Sequence, residues 1–323
     1  MKNCLFDESN NAFENMTNTF SCFNAMIVSL KRTRKEICHW LILNSSVSNK
    51  DIDTLLDFDG EIHGVDYYKA FINKSWDDQK NEIVWLLLNT IVSTFEDWAF
   101  SIVYNHFPIL NADGSINENA TRNRVDNLQK PDQFSNEIHQ MTSSLSAFTS
   151  TYVYPKMSTL KRRKFVKLSN FLYCFQVFKK MRNSYMHRGK KVSQDLIDAV
   201  NNYNSNVTSA SDLEVRYLPI FGPFSIGDVI IPDYKKVAFL NEIIIKVVVS
   251  IDAELSKTSA AEDVLVNRFK NSTDYKYKRV FPAQVARQKK LLQNFFLNTF
   301  GVPIPDNVLD TKQFFLEKGL ISL

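Results

Sequence analysis

Apolar residues recur at helical spacing through most of this chain, and polar, Asn- or Pro-marked stretches separate the runs. The first run, about residues 12–45, keeps a helical period and carries a basic cluster at Lys31, Arg32, Arg34 and Lys35. A polar segment with Asp51, Asp53, Asp57 and Asp59 follows. KNEIVWLLLNTIVSTFEDWAFSIVYNHF then predicts a helix from about Lys80 to Phe107, ended by Pro108. Residues 108–132, rich in Asn and Asp and carrying Pro131, read as an insert loop, and 133–150 as a helix. The longest pattern predicts a central helix over 159–187, with Pro155 and Ser158 before it and Gly189 after it.

A shorter helix is expected at 193–205. EVRYLPIF and GDVIIP then suggest a small β-hairpin around Gly222, Pro223 and Gly227. Pro232 and Asp233 open a helix to about Leu255, and 258–323 reads as helical with basic and aromatic residues mixed. The expected fold is mainly α: a bundle of long helices with one small hairpin and a helical C-terminal extension. Three regions follow from it: 1–79 packing on the bundle, 80–257 as the bundle with its insert, and 258–323 as the extension.

Composition supports this picture. Of 323 residues 44% are hydrophobic, with 25 Phe, so a large core is available, and Gly numbers only 8. No apolar run reaches about 18 residues, so no membrane span is expected, and no secretory leader is evident. Cys4, Cys22, Cys38 and Cys174 are scattered and form no CxxC pair, which predicts free thiols and a cytoplasmic setting. The net charge of +4 is compatible with nucleic acid without pointing to it. P-loop, GxGxxG and GxSxG motifs are absent. ADGSIN lacks the carboxylates of a calcium loop, and Cys38–His39 is poor zinc spacing. No metal or cofactor is expected.

The chemistry concentrates in MRNSYMHRGKK, residues 181–191. On a helical projection of the central helix, Leu168, Phe171, Leu172, Phe175, Phe178 and Tyr185 share a face, and Arg182 falls within it. Asn183, Met186 and His187 continue around one side, and Ser184 points elsewhere. A guanidinium keeps its charge, so Arg182 needs either a structural carboxylate on a neighbouring helix or an anionic ligand in a cleft. His187 can exchange a proton near neutral pH, and Asn183, four residues before it, can orient a ligand. Lys179, Lys180, Arg188 and Lys190 add positive charge suited to RNA, while a solvated face explains lysines equally well. Further charge precedes the motif at Lys161, Arg162, Arg163, Lys164 and Lys167. Glu96, at the edge of an apolar face made by Trp85, Leu88, Val92, Phe95 and Ala99, is either a surface carboxylate or a partner for Arg182 or His187. DYKYKRVF, residues 274–281, interleaves rings and cations, as a loop or as an RNA contact.

RNSYMH, with Arg188–Gly189 behind it, resembles the R-N-x-x-x-H motif of the HEPN superfamily. LLNTIVSTFEDWAF upstream and GDVIIPDYKKVAFLNEIIIKVVVSIDAEL downstream are similar in order to that superfamily's layout, so the resemblance covers about residues 80–257. It implies a metal-independent endoribonuclease, often a toxin, abortive-infection or antiviral defence effector, with cellular RNA or tRNA as substrate and a 2′,3′-cyclic phosphate product. It implies that His187 acts on the ribose 2′-OH or the leaving oxygen, Arg182 on the phosphorane-like transition state, and Asn183 on geometry. It further implies a homodimer with the site at the dimer cleft, and an antitoxin or sensor as a further partner. The competing expectations are a non-catalytic helical module that binds a partner protein, with Arg182 buried against Glu96, and an RNA binder without cleavage.

Overall fold

The computed structural model describes residues 4–44, 46–56, 66, 68–272, 284–301 and 308–322. The protein is mainly helical, and no strand forms among the described residues. Four long helices make the bundle: α1 (Asp7–Leu43), α3 (Trp76–His106), α7 (Leu168–His187) and α9 (Tyr234–Leu255). α2 (Asn49–Leu56) lies between the first two, α4 (Glu118–Leu128), α5 (Phe134–Met141) and α6 (Tyr154–Ser158) precede α7, and α8 (Gln194–Asn206) follows it. α10 (Ser259–Asn271), α11 (Val285–Phe300) and α12 (Val308–Glu317) complete the chain. DYKYKRVF lies outside the described residues.

α3 and α9 form the centre, each packing on the other and on both α1 and α7. Their sequences explain this. α9 buries nearly every residue from Ile243 to Leu255, and α3 buries a broad stripe from Ile83 to Val103. A helix that is apolar nearly all round must be surrounded. α3 is also long and apolar enough, by length and composition, to cross a membrane, which its individual apolar runs do not suggest; half of that window is buried within the protein, as in a core helix. Phe95 of α3 meets Phe175 of α7 edge-on at 4.7 Å. Ser75 caps α3 and Asp233 caps α9 by accepting backbone N–H groups of the first turn.

Three sequence expectations need correction. The stretch 108–132 is not an open insert, because Asn117 caps α4 and Thr121, Val125 and Leu128 give that helix a buried stripe; Asn is a cap signal as well as a loop signal. The central helix starts at Leu168, not near 159. A turn with Arg162 at φ 75° and a 3-10 segment at Phe165–Lys167 precede it, so Lys161–Lys167 are not on the motif helix. The hairpin does not form. Phe221 inserts instead against Phe178 of α7 and Tyr203 of α8, at 5.2 and 5.1 Å. The Gly227–Ile230 segment pairs with residues 190–192: the Val192 N–H donates to the Asp228 carbonyl and the Ile230 N–H to that of Lys190.

The N-terminus is fastened to the core. The buried Asp252 carboxylate of α9 accepts the backbone N–H groups of Leu5 and Phe6 at 2.8 and 3.0 Å, and Trp98 of α3 donates to Ser9 at 3.0 Å. In the same first turn of α1, both Glu8 oxygens lie 3.1 Å from His106 Nε2, and Asn105 donates to Glu8 at 2.8 Å. Burial pushes the Glu8 carboxyl up, but the hydrogen bonds from His106 and Asn105 outweigh it and hold it at about 2, against an ordinary 4.5. A depressed carboxyl stabilises the fold above its unfolded value, and that contribution is lost as the pH falls from about 4.5 towards 2. Glu8→Gln is therefore expected to make the acid limb of the urea-midpoint profile shallower over that window. An unchanged limb would show that this contact does not carry acid sensitivity.

Candidate active site

The end of α7 is built by packing on one side and by a polar network on the other. Leu168, Phe171, Leu172, Cys174, Phe175, Val177, Phe178, Met181 and Ser184 are buried, so the buried arc spans roughly half the helix circumference or more. It is wider than the sequence projection implies, and it takes in Ser184, which is 1% exposed. Arg182 sits inside this arc towards α3, Asn183 at its margin, and His187 outside it, exposed to solvent.

Arg182 donates through Nη2 to Glu96 Oε2 of α3 in a close ion pair, with side chains 16% and 28% exposed. Glu96 Oε1 lies 3.0 Å from Lys179 Nζ. Lys179 also donates to Gln129 Oε1 at 2.9 Å, and the Gln129 carbonyl accepts from Gln176 at 2.8 Å. One carboxylate is thus shared by two cations, so the cluster keeps a net positive charge. Arg182 Nε is buried without a hydrogen-bond partner, a spare donor of the sort that an anion or a water satisfies. Of the two solutions for Arg182, the carboxylate partner is present, and it is Glu96.

The chain beyond His187 is held back towards α3. The Arg188 and Lys190 N–H groups both donate to the Ser184 carbonyl at 3.0 Å, with Gly189 at φ 59° making the turn. Lys190 then reaches Glu82 of α3 at 2.7 Å and lies 5.2 Å from the centre of the Tyr185 ring, which itself stacks on Trp85 at 4.6 Å. The Lys190 ammonium holds the Glu82 carboxyl below its ordinary value. Pairing of 190–192 with 227–230 fixes the same turn from the other side.

The expected residues therefore separate. Arg182, Glu96 and Lys179 form one cluster. Asn183 lies at its margin, and His187 and Arg188 stand exposed on the last turn. Lys190 is engaged with Glu82. Lys180 faces away, 3.7 Å from Asp195 of α8, and is not part of this group. Sequence reasoning missed Gln129, Glu82 and the Trp85–Tyr185 stack. Gln129 follows the last residue of α4 and carries no periodic signal. Glu82 and Trp85, by contrast, could be read as lying on the same helix as Glu96, about three to four turns earlier.

The chain matches no protein-family model, and no curated protein or solved structure matches it significantly.

Removing Glu96 leaves two cations facing each other in a half-buried interface. Glu96→Gln is expected to lower the unfolding free energy by about 1–3 kcal/mol in urea titrations. Glu96→Leu with Arg182→Met is expected to recover part of that loss, because the more buried cation is removed with its carboxylate while Lys179 keeps Gln129 as a partner. A double variant as unstable as the additive sum would mean that the pair is not coupled.

Proposed function

We propose that this protein is a metal-independent endoribonuclease of the HEPN type, working in RNA-directed defence or toxicity. The observation that carries the reading is one helix end. It presents an arginine held by a carboxylate, an asparagine beside it and an exposed histidine, in the spacing R-N-x-x-x-H. Glu96 fixes the Arg182 fork, and Lys179 keeps the cluster positive, which favours a phosphodiester. His187, free of packing, accepts the 2′-OH proton. The 2′-oxygen then attacks phosphorus and the bond to the 5′-oxygen breaks; that oxygen takes a proton from water, His187 returns its own to solvent, and the product ends in a 2′,3′-cyclic phosphate. Arg182 stabilises the charge that develops on the non-bridging oxygens.

A homodimer fits this reading. Leu86 and Phe100 of α3 and Met186 of α7 are 51%, 46% and 52% exposed, apolar positions on the helices that carry the site. A second copy on that face would bring two sites to one RNA cleft, with an antitoxin or sensor as the further partner and the cytoplasm as the setting.

A second reading has its own observation. Arg182 is largely buried and paired, as a structural residue of a helical binding module would be. Cleavage of total RNA and of tRNA by purified protein in excess EDTA separates the two. His187→Ala and Arg182→Ala, each checked by circular dichroism, are expected to lose at least about a hundredfold in rate, with Asn183→Ala intermediate. Cleavage that persists in folded His187→Ala would sink the nuclease assignment. A wild type that cuts no RNA favours the binding module.

A further inference from the structure

A second site lies between α1 and α9, built by residues that the nuclease reading does not use. There a cleft of about 520 Å³ is walled by α1, by α9 and by the turn at Arg162. That volume suits a small organic ligand. Three half-buried rings line it, Phe13 and Phe20 from α1 and Phe239 from α9. Asn241 of α9 also lines it. That residue is only 6% exposed, and its Oδ1 has no hydrogen-bond partner. A buried amide oxygen left unpaired is destabilising; the atom is sealed from solvent, so a ligand N–H reaches it when the side-chain amide turns towards the cleft, a turn that meets the deficit.

The charges in the cleft are cationic. Arg162 and Lys235 are exposed there, and the one carboxylate in the lining, Glu242, is already paired with Lys246 at 2.9 Å. Arg162 is held in place deliberately. Its backbone is left-handed, at φ 75°, a conformation costly for a side-chain-bearing residue. The turn is fixed on α9 by Ser250, which accepts the Lys164 N–H at 2.7 Å and donates to the Arg162 carbonyl at 3.5 Å. The guanidinium lies 6.0 Å from the centre of the Phe13 ring. Rings to stack on, a buried acceptor that asks for a ring N–H, and two cations at the mouth describe one ligand chemistry: a nucleobase carrying a phosphate.

We propose that the α1–α9 cleft binds a free mononucleotide, its base among Phe13, Phe20 and Phe239, a base N–H on Asn241 Oδ1, and its phosphate on Arg162 and Lys235. The cleft is bounded by three elements, which suits a single nucleotide better than a continuing strand. The test is calorimetric titration of the whole protein with the four 5′-mononucleotides, the matching nucleosides and a short 2′-O-methyl oligoribonucleotide. Two variants preserve the fold: Asn241→Leu removes a buried unpaired group, and Arg162→Gly relieves the left-handed backbone.

At least one mononucleotide is expected to bind, and each variant to weaken it about tenfold or more. The matching nucleoside is expected to bind more weakly and to be insensitive to Arg162→Gly. The absence of binding by any mononucleotide at about 1 mM would overturn the proposal. Undiminished binding in both variants would do so as well, since the nucleotide would then sit elsewhere. Binding of the oligoribonucleotide without any mononucleotide would make the cleft a strand groove and not a nucleotide pocket.

Discussion

A guanidinium inside an apolar interface must be neutralised where it sits, and Glu96 does this for Arg182. The pair joins α3 to α7 at the place where the two helices carry both core and polar groups. Phe95, the residue before Glu96, packs edge-on against Phe175 in the same interface. Hydrophobic burial therefore brings the carboxylate to the arginine, and the ion pair fixes the rotation of α7 about its axis. That rotation decides what His187 faces. Were α7 turned by one position, Arg182 would lose its carboxylate and a buried aromatic would move to water. Packing and charge specify the same register.

The remainder of the bundle follows from α3 and α9. Both are too apolar to present a wide face to solvent, so α1 and α7 must cover them from either side. Asp252 ties the N-terminal Leu5 and Phe6 to α9, and Ser9 and Glu8 tie the next turn of α1 to α3. Beyond Met16 few α1 residues are buried, and around Phe13 to Ser21 the helix leaves the cleft against α9 at Arg162. The two candidate sites thus sit on different pairs of helices. α3 and α9 each pack against both α1 and α7, so either helix connects the two sites.

Long helices were legible because their periodicity is strong and their ends are marked. Pro108 and Gly189 stop where expected, and Asp233 caps α9 as its position suggests. The Glu96–Arg182 pair was legible as one of two options, since a carboxylate at the edge of an apolar stripe and an arginine within another call for each other. Tertiary context decided the rest. Asn-rich 108–132 contains a helix because one Asn caps it and a few apolar residues bury. The β-like segments at 214–231 found partners in α7, α8 and residues 190–192 and not in each other, which alternation of apolar residues cannot reveal. Lys180 and Lys179 are neighbours in sequence, yet the 100° step of the helix sends one to Asp195 and the other to Glu96.

The ion pair does not by itself divide a catalyst from a scaffold. A carboxylate shared between Arg182 and Lys179 stabilises the interface and also leaves one net positive charge with a spare buried donor on Arg182 Nε. The same geometry thus serves the fold and, under the proposed nuclease reading, would serve phosphate recognition as well, so that loss of Arg182 would affect both. His187 is different. It is exposed, so burial contributes almost nothing to holding it there. Packing does not require a histidine on the last turn of α7, and proton transfer does. In the proposed nuclease, the chemistry at this helix end thus falls to the residue that the fold needs least.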